Sequence, residues 1–501
     1  MDKNHLKTTF FKLLIISISF SFFSCSSTKE MKVQVYETSA KGNSLKEITQ
    51  FSESNNPVII TLNPEEKFQT ITGFGGSFTE ASASLLNRLS KANRKKILDA
   101  YFSESGANYS LTRTHIASCD FSLSNYTYAK VENDLELKNF TVEEDKADLI
   151  PMILEAKSIS KDGFNIIASP WTCPPWMKDN KKYVGGKLLP EFNDTFALYF
   201  SKYLNAYKKE GIDIWGLTVI NEPHGNGNNW ESTLFSPNEM TQFVQNHLGP
   251  KLAKDGWADV KILGYDQNRA GIKEWVDVMY KEEQSSKYYD GLAIHWYEST
   301  YEVFPKELQY AHNKNSSKYL IQTEACVDSE IPQWNDDAWY WKKEATDWGW
   351  DWASEKDKYL HPKYAPVNRY AADIIGCLNN WVDGWVDWNM VLDRQGGPNW
   401  FKNWCVAPVI VDPDKDEVYF TPLYYVMSHF SKFMRPGAVK IGCNITNKEL
   451  MATAVKNPDG SIAVAIFNPT DKNETIEIDL NSRKKNISIN AKALQTLIIK
   501  P

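Results

Sequence analysis

Short apolar runs rich in β-branched residues alternate along this chain with longer stretches whose apolar positions recur every three to four residues. The first pattern belongs to strands buried on both faces, the second to amphipathic helices. PVIITLNP at 57–64 reads as a strand. Eight buried-strand candidates follow: Thr70–Gly75, Tyr109–His115, Asn165–Ser169, Ile214–Asn221, Val260–Tyr265, Gly291–Trp296, Tyr319–Thr323 and Gly384–Asn389. Helix-period segments such as Phe192–Glu210 and Asn238–Lys254 separate most of them. Strand–helix alternation repeated eight times predicts a parallel (β/α)8 barrel. The aromatic run WVDGWVDWNM serves as the eighth strand, although its composition also fits a loop.

From about Thr421 the pattern changes. SIAVAIFNP, ETIEIDL, ISINA and LQTLIIK are short, alternating, turn-bounded strands, with Asp459-Gly460 as a hairpin signal between two of them. They predict a β-sandwich beside the α/β barrel, and strands before residue 65 can join it, bringing the termini together. The resulting division is a signal segment at 1–25, a linker with N-terminal sandwich strands at 26–65, the barrel at 66–420 and the sandwich at 421–501.

The first residues read as targeting rather than fold. Lys3, Lys7 and Lys12 precede an apolar stretch from Leu13 to Phe23 that is too short to span a bilayer but suits a signal peptide. Ser24-Cys25 resembles a bacterial lipobox, with Phe22 standing where that motif prefers Leu. Cys25 is therefore the expected lipidation site, with ordinary secretion and an incidental Cys as the alternative, and the expected location is the bacterial envelope, on the outer membrane, held by that anchor alone. The other cysteines, Cys119, Cys173, Cys326, Cys377, Cys405 and Cys443, show no CxxC or Cys/His ligand spacing. They read as buried thiols, with no metal or other cofactor implied. With a net charge of −7 and no basic run longer than three residues, as at Arg483-Lys484-Lys485, nothing suggests a nucleic-acid footprint.

The candidate chemistry lies in two glutamates. Glu222 in TVINEPHGN and Glu324 in YLIQTEACV each close an apolar strand-like run. Counting strands places Glu222 after the fourth and Glu324 after the seventh. In a (β/α)8 barrel that edge is the catalytic face, and strands four and seven stand on opposite sides of its mouth. Two carboxyls facing each other there can hydrolyse a glycosidic bond, and a separation of about 5–5.5 Å makes one of them a nucleophile. Glu324 then needs donors to stay ionised, one of which Tyr297 can supply, while the negative charge of Glu324 would raise the pKa of Glu222, the acid.

Several stretches carry a family resemblance: ITGFGGSFTEASA (71–83), RTHIASCDFS (113–122), ASPWTCPPWMK (168–178), INEPHG (220–225), IHWY (294–297), TEAC (323–326), GWVDWN (384–389), GGPNW (396–400) and HFSKF (429–433). Together they resemble glycoside hydrolase family 30, in particular its glucosylceramidase-like branch. The resemblance implies a barrel with a sandwich built from both termini, Glu222 as acid/base and Glu324 as nucleophile. It also implies a glucose subsite formed by Asp120, Trp171, Asn221, Trp388 and Asn403, with Arg113 and His295 as supports. The bland alternatives are caps for Asp120 and Asn403 and core packing for Trp171 and Trp388.

The segment 333–357 carries Trp334, Trp339, Trp341, Trp348, Trp350 and Trp352. Following the seventh strand, it is expected to offer indoles to the leaving group, although inward packing is the competing reading for each Trp. The favoured substrate is a β-glucan, β-1,6-linked in particular. Glucosylceramide is the alternative, since the resemblance covers enzymes of both kinds and no lipid-binding amphipathic helix stands out. Other branches of the family act on xylan or fucosides. A non-catalytic carbohydrate-binding lipoprotein is the reading of another class, disfavoured by the paired glutamates.

Overall fold

The computed structural model describes residues 31–299, 301–328, 332, 336–343, 345 and 365–500. The signal segment, including Cys25, lies outside them. Eight parallel strands close into a barrel: Gly73–Phe78, Leu111–Ile116, Asn165–Pro170, Gly216–Thr218, Lys261–Asn268, Gly291–His295, Tyr319–Glu324 and Gly384–Asn389. The aromatic run at 384–389 is thus the eighth strand, buried throughout. The first strand begins later than expected. Thr70 ends a long strand, Val58–Thr70, that belongs to the other domain. The glycines of GFGGSF explain the offset, because a Cβ on Gly75 would lie 2.0 Å from the Leu111 carbonyl oxygen. Only a side-chain-free segment can approach its neighbour so closely.

The outer helices follow the sequence pattern. Asn193–Lys209 fills the predicted 192–210 segment. The 238–254 segment is helical from Pro237 to Lys254 but widens into a π-turn at Val244–Leu248. Pro250 just beyond has no N–H to give a regular i→i−4 bond, and the wider turn accommodates that loss.

Inside the barrel, Leu111, Ile167, Leu263, Ala293, Ile321 and Val386 form an apolar floor. Side chains two apart on a strand share a face. The same inward series therefore carries Arg113 above Leu111, Ser169 above Ile167, His295 above Ala293, Thr323 above Ile321 and Trp388 above Val386. A polar layer thus sits on the floor, at the carboxyl ends of the strands.

Nine strands form the second domain's sheet, with the strands at Val33–Ser39 and Val58–Thr70 drawn in from the N-terminal side. Val33 pairs with Ile499, so the two ends of the described chain lie side by side. Asp459-Gly460 makes the predicted hairpin, with Gly460 at φ +86°. One boundary moves. Pro422–Ser431 is a helix that packs on the barrel, and the sheet resumes only at Val439. PLYYVMSHFS is ten residues long and buried at all positions but Tyr425, and a short run so rich in apolar residues suits a buried helix as well as a strand.

Candidate active site

Arg113 organises the site. Its guanidinium is fully buried and donates from Nη2 to Asp266 Oδ2 at 2.8 Å and to Asn221 Oδ1 at 2.9 Å. Nε donates to Ser169 Oγ at 3.1 Å, and Nη1 donates to Glu324 Oε2. The cation also lies 4.8 Å from the centroid of the Trp171 ring and 5.6 Å from that of Trp388. Asp266 takes three more donors: His295 Nε2 at 2.9 Å, and the Thr218 and Thr323 hydroxyls at 2.7 Å each. Burial alone would push the Asp266 carboxyl up, but Arg113 and His295 hold it well below the usual carboxylate range. Asp266 is the residue that sequence reading missed. It reaches the interior because the fifth strand bulges between Tyr265 and Gln267, with Asp266 at φ +62°. Without the bulge, a residue three beyond the inward-facing Leu263 would point out of the barrel.

A similar irregularity positions Glu324. Strict alternation from Thr323 would turn it outward, but the pairing shifts between Gln322 and Glu324. Its carboxylate then meets Arg113 at Oε2 and accepts from Tyr297 Oη at 2.9 Å on Oε1. The donor expected from Tyr297 is thus in place. Burial pushes the Glu324 carboxyl pKa up, His295 and Arg113 oppose that shift, and Glu222 adds to it.

Glu222 enters from the opposite wall. Its backbone is left-handed, φ +48°, a conformation that a residue with a Cβ rarely adopts. It is held by Glu222 N–H to the Asp266 carbonyl at 3.0 Å and Gly225 N–H to its own carbonyl at 2.8 Å. The side chain of Glu222 is 14% exposed against 9% for Glu324, so Glu222 is the more open to the cleft. One oxygen of Glu222, one of Glu324 and a ring nitrogen of His295 all lie within 4.8 Å of one another.

His295 Nδ1 faces Glu222 Oε1 at 3.5 Å, a charge contact rather than a close hydrogen bond. Burial would lower the pKa of this imidazole, but Glu324 and Asp266 raise it to about 9. Three such ligand atoms are close enough to grip a metal ion. To ligate one, the imidazole would have to give up the proton that Glu324 and Asp266 stabilise on it. The shift also has a stability consequence. The folded-state pKa stands above the ordinary 6.5. The stabilisation is therefore fully present below about pH 6.5 and is lost as pH rises through about 9. Melting temperature should fall over that window, and His295→Asn should flatten the fall. An equal slope in the variant would assign the pH dependence to other groups.

A cavity of about 740 Å³ opens above these residues. The predicted Asp120, Trp171, Asn221, Tyr297, Trp388 and Asn403 all line it, with both glutamates. Trp171 and Trp388 stack on each other, centroids 5.1 Å apart. Asn403 Nδ2 donates to Asp120 Oδ2 at 3.1 Å, while Asp120 Oδ1 is buried with no partner among the described residues. Burial and the nearby Glu324 push the Asp120 carboxyl pKa up. A ligand hydroxyl is the group that this arrangement lacks. Arg113 and His295 lie in the polar layer beneath the cleft and do not line it.

Two of the six tryptophans of 333–357 lie in the described residues, and both pack away from the cleft. Trp339 and Trp341 sit in a short 3-10 helix, Asp337–Trp341, against the helices Pro366–Leu378 and Pro422–Ser431, and neither lines the cavity. Trp341 is 7% exposed, so apolar burial has claimed it. Trp334, Trp348, Trp350 and Trp352 lie outside the described residues. Among the described residues, the aromatic groups at the mouth are Trp230 and Phe401, edge to face at 5.4 Å, beside Asn226, Asn229, Gln267 and Asn268. GNGNNW after the fourth strand was a legible signal, since glycine and asparagine at a barrel mouth mark a functional loop.

Residues 71–434 match the glycosyl hydrolase family 30 TIM-barrel domain, and residues 437–497 match the family's beta sandwich domain. The chain belongs to glycoside hydrolase family 30. It is a retaining glycoside hydrolase, the mechanism general to that family. Lysosomal acid glucosylceramidase of Mus musculus is 34% identical over 439 residues, spanning 86% of this chain and 81% of the relative. The solved structure of SrfJ from Salmonella typhimurium superposes with a TM-score of 0.82 at 28% identity, covering 94% of this chain and 99% of that one. The endo-beta1,6-glucanase BT3312 gives a TM-score of 0.78 at 28% identity, covering 93% and 98%. In this family-30 hydrolase, carboxyl oxygens within 4.8 Å of each other suit double displacement, which uses a shorter gap than inversion does.

Proposed function

We propose that this enzyme cleaves β-glucosidic bonds in a β-glucan, β-1,6-linked in particular, with Glu324 as nucleophile and Glu222 as acid/base. The observation that carries the reading is the pairing of these carboxylates across one cleft, oxygens within 4.8 Å, with Arg113 and Tyr297 on Glu324. Glu324 attacks the anomeric carbon while Glu222 protonates the leaving oxygen. Glu222 then deprotonates the water that releases the sugar. Asp120, Asn221 and Asn403 bind hydroxyls of the glucose unit, and the indoles of Trp171 and Trp388 form its apolar wall. The amide-lined mouth with Trp230 and Phe401 suits a hydroxylated sugar acceptor better than a pair of acyl chains. The glucanase among its structural relatives supports the same choice. A panel of β-1,6-, β-1,3- and β-1,4-glucans, xylan and glucosylceramide tests it. Fastest turnover should fall on the β-1,6-linked glucan. Turnover of glucosylceramide above every glucan would reassign the substrate, a possibility that the glucosylceramidase relative keeps in view.

The Lys-flanked apolar segment and Ser24-Cys25 support export to the bacterial envelope as a lipoprotein of the outer membrane. Cys25→Ser should leave the protein unacylated and in the soluble fraction. A wild-type protein whose mature N-terminus is some residue other than Cys25 and carries no acyl chain would refute the anchor.

A further inference from the structure

Cys326 and Cys405 meet at the wall of the active-site cleft. Their Sγ atoms are 3.3 Å apart, both residues line the cavity, and they come from distant parts of the chain. Cys326 lies two residues beyond Glu324, and its Sγ is 3.5 Å from the Tyr297 hydroxyl that holds that carboxylate. Cys405 lies two residues beyond Asn403, on the segment that carries Phe401. A two-stranded antiparallel ladder joins the two segments, Val327 to Val406 and Asp328 to Cys405. Cys405 pairs with Asp328, so the two thiols meet diagonally across this ladder.

We propose that Cys326 and Cys405 form a reversible disulfide that ties the Glu324 segment to the Asn403 segment across the cleft wall. The sulfurs need to approach by only about 1.3 Å to reach bonding distance, which side-chain rotation can supply. The oxidant is a small-molecule disulfide that enters through the open cleft. One cysteine loses its proton and its sulfur attacks the small disulfide, expelling one thiolate. The second cysteine, deprotonated in turn, attacks the mixed disulfide and expels the other thiolate. Two protein thiols are oxidised and one small disulfide is reduced to two thiols. The bond closes a long loop, so it should stabilise the folded chain. It also fixes the spacing between Asn403 and Glu324, the two sides of the glucose subsite proposed above. Of the other cysteines in the described residues, Cys119 is the one packed in the same buried cluster, and so the competitor to test.

Mass spectrometry tests the bond independently of any substrate. The full-length enzyme is treated with oxidised glutathione, alkylated and digested. The expected product is one peptide pair joined through Cys326 and Cys405 and separated again by dithiothreitol. The melting temperature should rise by a few degrees on oxidation and return on reduction. In Cys326→Ser, or in Cys405→Ala should that variant fold better, the same treatment should give no joined peptide and no shift. Alkylation of both cysteines after oxidation, or a link from either one to Cys119, would overturn the proposal. A joined pair without a change in melting temperature would overturn its role as a tie.

Discussion

Glu324→Gln should lower kcat on a β-glucoside by at least roughly a thousandfold, the scale on which losing a covalent nucleophile acts in other hydrolases. The amide cannot form the glycosyl ester. Asp266 also carries a carboxylate next to Arg113, but its oxygens are engaged by Arg113, His295, Thr218 and Thr323 beneath the cleft. A fold effect must be separated from a chemical one, because Glu324 also neutralises buried Arg113. Glutamine keeps the shape and can still accept from the guanidinium, so the variant should fold, with some loss of stability. A 2-fluoro-glucoside should label the wild type on the peptide containing Glu324. Label on Glu222 instead would exchange the two roles.

The second large effect belongs to Glu222, and its signature is selectivity rather than size alone. Glu222→Ala should slow substrates with poor leaving groups by about 10²–10⁴-fold, the range for a lost general acid. An activated aryl glucoside, whose leaving group needs little protonation, should keep a much larger share of its rate in the first step. Small anions such as azide should restore turnover of that substrate, since an anion can attack the glycosyl-enzyme without a general base. Equal losses on both substrate classes, with no rescue, would remove Glu222 from the acid/base role. The strained backbone at Glu222 makes alanine a fair test, because alanine keeps the Cβ and the same left-handed cost.

Much of this was legible before any coordinates. Period and length separated strands from helices, and their alternation implied the barrel. Each glutamate closes its run, which placed both at the carboxyl ends of the strands, and Tyr297 followed from its position just past the sixth. The sandwich was readable from alternating strands and the Asp459-Gly460 turn, whose geometry depends on neighbours alone. The shift of the first barrel strand was not readable. Thr70 and Gly73 lie in one apolar run, and only packing against Leu111 shows where one domain ends and the next begins.

What the sequence by itself determined was the set of local facts: strand and helix periods, the turn residues, and the ends of the runs where Glu222 and Glu324 stand. What the tertiary structure decided was direction. A strand pattern with a period of two cannot announce a bulge, so nothing local turns Asp266 inward on the fifth strand or Glu324 inward on the seventh. Nor could composition say which tryptophans serve a ligand. Trp341 and Trp230 are the same residue type in similar polar loops, yet one is packed beneath the helices and the other lines the cleft. The burial of an indole is set by the surface that the rest of the chain presents to it, and that surface exists only once the barrel has closed.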